Sequence, residues 1–142
     1  PFLLLIQHGE ILMMLRGVRG AITVNDNSAE AILNATEEML YWLIEQNGIE
    51  EEDVASLLFT STPDLNAAFP AKAARNMGWR HVALMGFQEI DVPEGLKMCV
   101  RVLIHWNTDK SNRELKHAFL RGAAALRPDL VKKAKDTPIE DS

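Results

Sequence analysis

Two arginines stand in the middle of segments that read as β-strands, where a guanidinium needs a physical reason to be. In Lys97–Asn107 (KMCVRVLIHWN) the even positions Met98, Val100, Val102, Ile104 and Trp106 are all apolar. Strand side chains alternate between faces, so this set faces a core and Arg101 falls on the opposite face, in line with Cys99, Leu103 and His105. That second face is only half polar and needs a cover: a second subunit, a ligand, or both. Arg19 poses the same question in Leu15–Val24 (LRGVRGAITV), where its same-face neighbours Gly17, Ala21 and Thr23 are small and leave room above the guanidinium. A buried charge without a partner loses much of its hydration energy. Two readings are therefore open. One is an ion pair with an acid such as Glu89 or Asp91; the other is a pocket for an anion, because the guanidinium fork matches a carboxylate bidentately.

Other residues carry weaker signals. Phe69-Pro70-Ala71-Lys72 sets a lysine in the first turn of a helix, where the macrodipole disfavours a cation unless an anion is bound, although plain solvent exposure also explains it. Glu89 follows Gly86 in an irregular stretch where a bulge could aim a carboxylate, with a surface acid as the alternative. His8, His81, His105 and His117 show no metal-binding spacing, and neither a nucleophile elbow nor a phosphate loop is present. Cys99, within a strand, reads as a small hydrophobe rather than a nucleophile.

The elements that must position these groups follow from the pattern. Leu15–Val24 is a strand ended by Asn25, Asp26 and Asn27; Ser28 caps a helix running to about Gln46, with Gly48 as its stop. Val54–Ser61 is a strand covered on both sides, and Pro70 opens a short helix through Arg75 to Met77. His81–Met85 reads as a strand, Gly86–Gly95 as irregular, and Lys97–Asn107 as the clearest strand in the chain. A last helix is expected over Arg113–Ala125, stopped near Pro128. The alternation gives an α+β fold, α/β in the loose sense, with a mixed sheet packed by helices.

The chain has 142 residues, 47% hydrophobic and 25% charged, a balance that fits one globular domain. A net charge of −5 has the wrong sign for a generic nucleic-acid binder. A lone cysteine excludes an internal disulfide and fits a reducing cytoplasm. The apolar run Pro1–Leu12 contains His8 and Glu10, lacks a preceding basic residue and falls short of the ~20 residues that span a bilayer. It is read as neither signal peptide nor membrane anchor. Residues 1–12 are expected to be an extension, 13–130 the domain, and 131–142 a flexible tail.

Several blocks, in order and at compatible spacing, resemble the AroH-class monofunctional chorismate mutases: Arg16–Val24 (RGVRGAITV), Phe69–Arg75 (FPAKAAR), Gln88–Val92 (QEIDV), Cys99–Val102 (CVRV) and Leu126–Leu130 (LRPDL). The resemblance implies a homotrimer built as a pseudo-α/β barrel with active sites at subunit interfaces, which would supply the missing cover. It also implies a cofactor-free Claisen rearrangement of chorismate to prephenate, in the biosynthesis of phenylalanine and tyrosine. By the same resemblance Arg101 donates to the ether oxygen, Arg19 holds a carboxylate and Glu89 accepts the substrate hydroxyl. Phe69, Ala71 and Lys72 come from the adjacent subunit, with Arg75 near the mouth, Met85 and Gly86 at the floor, and Leu126 and Arg127 closing over the site. The family's better-known members carry cysteine where Gly86 stands and tyrosine where Phe119 stands. Each change removes a polar contact but spares the ether-oxygen donor, so activity is expected to survive. A non-catalytic module that binds a cyclic dicarboxylate through Arg19 and Arg101 is the alternative from another class, and a purely structural pairing of the arginines is a third.

Overall fold

The computed structural model describes residues 13–129. Five strands form one mixed sheet in the order β3-β2-β4-β1-β5. They are β1 (Met14–Thr23), β2 (Val54–Ser61), β3 (Ala83–Gln88), β4 (Cys99–Thr108) and β5 (Ala118–Leu120). The central strand β4 runs antiparallel to both β1 and β2, while the outer strands β3 and β5 lie parallel to β2 and β1. Helix α1 spans Ala29–Asn47 and helix α2 spans Ala71–Asn76, with 3-10 segments at Glu51–Asp53, Asn112–Glu114 and Arg121–Leu126. The mixed sheet and α+β class match the sequence reading.

Helix α1 forms where its caps allow. The Ser28 hydroxyl accepts the Ala31 N–H at 3.1 Å, and Gly48, at φ 72°, turns its N–H back to the Ile44 carbonyl. Between these ends Ile32, Ala35, Met39, Leu40 and Leu43 form the buried stripe. It packs on one sheet face against Val18 and Ile22 of β1, Leu57 and Phe59 of β2, and Val100, Val102 and Ile104 of β4. Met98, assigned to that core-facing set by the alternation, instead precedes β4 at φ 51° and is only half-buried.

The approach of α1 to β1 depends on Gly20, where an added Cβ would lie 2.8 Å from Leu43 Cδ1 and 3.0 Å from two atoms of Met39. Gly20→Ala is therefore expected to destabilise the fold by about 1–3 kcal/mol through overpacking. Urea unfolding measures this, and an unchanged midpoint would show that the helix face yields freely.

On the opposite face the Arg121–Leu126 segment packs over Ala21 and Cys99, and among the described residues Leu103, Met85 and Phe87 stay exposed there at 37%, 57% and 48%.

The expected helix over Arg113–Ala125 is not formed. A 3-10 turn, the three-residue β5 and a second 3-10 segment replace it. Tertiary contacts override the local alanine-rich preference. Asn47, at the end of α1, clamps Lys116 from both sides, donating to its carbonyl and accepting its N–H, each at 2.9 Å. Ala118–Leu120 then supplies the edge of β1 with a partner at Gly20–Ile22. At Arg121, φ 54° turns the chain out of the strand, and the Gly122 N–H bonds Thr23 Oγ1 at 2.9 Å.

The third strand also shifts. It begins at Ala83 rather than His81, because the Glu51 carboxylate holds the Arg80 and His81 amides in a bend at 2.8 and 3.0 Å. It runs on through Gly86–Gln88, which removes three residues from the expected irregular stretch. Residues 1–12 and 130–142, read above as extension and tail apart from Leu130, lie outside the described residues.

Candidate active site

Arg101 occupies the middle of the sheet, opposite Ala21 of β1 and Thr60 of β2. Its Nε lies 3.4 Å from Glu89 Oε2, and the two side chains are 29% and 24% exposed. Of the acids named from sequence, Glu89 thus meets the arginine, whereas Asp91 faces Lys97 at 3.9 Å. Glu89 is fixed from two directions. Its backbone N–H bonds the Ser61 carbonyl at 2.9 Å, extending the β2–β3 ladder past the end of β3, and its Oε2 accepts the Thr60 hydroxyl at 2.7 Å. The contact with Arg101 is Coulombic only: Arg101 Nε is buried and has no hydrogen-bond partner among the described residues. A buried guanidinium donor in that state is a group awaiting an acceptor.

Arg19 lies diagonal to Arg101 on the same face, since Arg19 pairs with Leu103 and Ala21 with Arg101. Its guanidinium stacks over the Phe119 ring at 5.3 Å from the centroid. No carboxylate among the described residues forms an ion pair with it. Burial, then the Arg101 and Arg127 cations, lower its pKa, and Glu89 acts in the opposite direction. An arginine starts from so high a value that it stays charged. Arg127 itself pairs with Asp129 at 3.2 Å. This end of the sheet therefore gathers the partly desolvated Arg19 and Arg101 guanidinium groups beside Glu89, with the exposed Arg127 close enough to act on Arg19, a field suited to an anion.

Cys99 packs with Ala21 and Ala123, and Phe119, Leu96 and Leu126 close around them. Burial pushes its thiol pKa up, against a smaller opposing pull from Arg101, so the sulfur behaves as a hydrophobe rather than a thiolate.

A cavity of about 340 Å³ opens beside Arg101 and Glu89, lined also by Thr62, Asp64, Leu96 and Lys97. Its wall is braced by hydrogen bonds. The Asp64 carboxylate accepts the Met98 N–H at 3.0 and 3.2 Å and the Thr62 hydroxyl, whose oxygen in turn accepts the Cys99 N–H at 3.0 Å. These bonds hold the left-handed turn at Met98 and so set where β4 begins, just ahead of Arg101.

The remaining sequence-derived residues lie elsewhere. Phe69, 83% exposed, shares a second groove of about 430 Å³ with Gly86, Phe87 and Phe59. Ala71, Lys72 and Arg75 sit on α2, with Lys72 and Arg75 exposed, and none of them lines the Arg101 cavity. Met85 projects from the open sheet face beside Leu58. One chain thus brings Arg19, Glu89, Arg101, Phe119, Leu126 and Arg127 to one region and leaves the α2 and β3 residues in another.

Thr60, Thr62 and Asp64 were not singled out for function from sequence. Thr60 carried a readable signal, since it alternates with the core residue Phe59 and must share the arginine face. The Asp64 network spans 34 residues of sequence and leaves no local trace.

Comparison with known proteins agrees with this geometry. Residues 15–130 match the family model described as chorismate mutase type I. The chain is similar to the chorismate mutase AroH of Thermus thermophilus, 48% identical over 118 residues, which cover 82% of this chain and 97% of that protein. It is similar to the Bacillus subtilis chorismate mutase AroH at 45% identity over 119 residues, covering 83% and 94%. The solved chorismate mutase of Clostridium thermocellum superposes with a TM-score of 0.76 at 52% identity, covering 78% of this chain and 98% of that one. The chain belongs to the type I chorismate mutase family.

Proposed function

We propose that the isomerisation of chorismate to prephenate, the activity that this family membership carries, takes place where two copies of the chain meet in a homotrimer, with Arg101 as the transition-state donor. The observation that carries this reading is the Arg101 Nε, buried beside Glu89 without a hydrogen-bond partner, next to an Arg19 that has no carboxylate of its own, both among the described residues. A dianionic substrate supplies both with acceptors.

The rearrangement is unimolecular: one C–O bond breaks as a C–C bond forms, with no proton transferred. The protein must hold the substrate in a chair-like fold and meet the negative charge that grows on the ether oxygen. Arg101 donates to that oxygen from a fixed, partly dry position. Glu89 supports it and also orients the ring. Thr60 and Arg101 both address Glu89 Oε2, which leaves Oε1 to accept the substrate hydroxyl. Arg19, stacked on Phe119, takes a carboxylate, and Leu126 and Arg127 close over the bound molecule.

The homotrimer explains why one chain holds the site in two pieces. Phe69, Ala71, Lys72 and Arg75 of an adjacent copy wall the Arg101 cavity, with Met85 and Gly86 at its floor. The exposed apolar side chains on the open sheet face gain the cover that such a surface needs, and the copies close into a pseudo-α/β barrel. Among the described residues no helix is long and apolar enough to cross a membrane, and the lone cysteine fits a cytoplasmic setting.

The test is to mix the purified chain with chorismate and follow loss of the diene absorbance, identifying the product as prephenate, with sedimentation to give the number of copies. Turnover by a trimer is expected. Binding without turnover would reduce the protein to a dicarboxylate-binding module, and absence of binding would leave the arginines a structural role.

A further inference from the structure

His117 stands just ahead of β5, half-buried, and its Nδ1 accepts the backbone N–H of Arg19 at 3.0 Å. The bond continues the β1–β5 ladder, whose first pair is Gly20–Ala118, with a side chain in place of a carbonyl. It matters because β5 is only three residues long, too short for its ladder alone to secure its register. Two residues on, Phe119 carries the Arg19 guanidinium on its ring. The segment Lys116–Phe119 therefore fixes three things in succession: Asn47 at the end of α1, the backbone of Arg19, and the side chain of Arg19.

We propose that His117 is a positioning residue for the reaction: its unprotonated Nδ1 anchors the Arg19 backbone and so sets where the Arg19 guanidinium meets a substrate carboxylate. The inference rests on the functional reading given above. Accepting an amide hydrogen requires a bare Nδ1, which puts the proton of the neutral ring on Nε2. The charged groups that bear on the imidazole among the described residues are Arg19 from β1 and Arg127 from beyond the Arg121–Leu126 segment, both cations. Burial first, and then these two charges, hold the ring below its ordinary value of 6.5. The neutral ring is thus the form present at neutral pH. As pH falls below that value the folded state increasingly resists a proton that the unfolded chain accepts, so the anchor weakens on the acid side and is complete above it. Protonation replaces an acceptor with a donor facing the Arg19 N–H and adds a third cation beside Arg19 and Arg127.

Two variants and one spectrum test this in the full chain. His117→Leu removes the acceptor, and KM for chorismate is expected to rise about tenfold with a smaller change in kcat, because a carboxylate contact acts alike on ground and transition states. His117→Asn places an amide oxygen near the Nδ1 position without a titrating group. It is expected to keep the neutral-pH KM and to lack the rise in KM expected of the unaltered protein when His117 takes up its proton, at a pH below the ordinary 6.5. The imidazole nitrogen NMR signals of His117 should report the Nε2–H tautomer at neutral pH. A wild-type KM in His117→Leu, an acid-side KM rise that persists in His117→Asn, or an Nδ1–H tautomer would each overturn the assignment. A drop in melting temperature with KM unchanged would do the same, by showing a merely structural histidine. Should His117→Leu fail to fold, the asparagine variant and the spectrum decide. Failure of the unaltered protein to convert chorismate would strike the functional reading instead, while the tautomer would still report on the anchor.

Discussion

Arg101→Ala is expected to lower kcat for chorismate by about 10²–10³-fold, the range typical of removing one preorganised donor from a developing oxyanion. The size follows from the position. The guanidinium sits 3.4 Å from a Glu89 that Thr60 and the Ser61 carbonyl fix in turn, so its orientation is set before substrate arrives, and its buried Nε has no hydrogen-bond partner among the described residues. A donor fixed in advance costs no reorganisation when charge appears on the ether oxygen, and the partly dry surroundings strengthen the contact. The fold should survive, because position 101 faces away from α1 and the β4 core residues Val100, Val102 and Ile104 are untouched. Arg101→Lys should also be poor, since a compact ammonium cannot reproduce the planar fork. Initial rates from the diene absorbance, with circular dichroism to establish folding, make the measurement. Near-normal turnover in Arg101→Ala would remove this residue from the central role.

A larger qualitative effect is expected from mixing two disabled variants. Lys72 is exposed on α2 and does not line the Arg101 cavity of its own chain. If it faces the substrate from an adjacent copy, Lys72→Glu sets a carboxylate against a dianion and should reduce kcat/KM roughly a hundredfold, as like-charge juxtaposition costs several kcal/mol. Arg101→Ala and Lys72→Glu, each close to inactive alone, then repair one another in mixed trimers. A site formed by Arg101 of one copy and Lys72 of its neighbour is intact in about a quarter of random pairings. Co-refolding differently tagged variants and assaying the mixed species reads this directly. Mixed oligomers without recovered activity would show that α2 does not complete the site across an interface.

The apolar stripe and caps of α1, the alternation of β4 and the placement of Arg101 opposite the core were legible in the sequence, because each depends on residues close together along the chain. Ser28 and Gly48 sit at the ends of their own helix, and the period of two in β4 is local geometry. The helix expected over Arg113–Ala125 shows the opposite case. Its residues favour a helix in isolation, but Asn47 and the unpaired edge of β1 lie some 70 to 100 positions away and offer hydrogen bonds that the segment takes instead.

The candidate site divides along the same line. Sequence alone determined that Arg19 and Arg101 occupy a non-core sheet face and that each needs an anionic partner, since strand alternation and the cost of a buried charge require nothing distant. Only the tertiary structure decided that Glu89 meets Arg101, that Thr60 steadies Glu89, and that His117 anchors the backbone of Arg19. These contacts bring together residues from different strands. Which strand lies beside which is set by the packing of the whole sheet, and no local pattern encodes it.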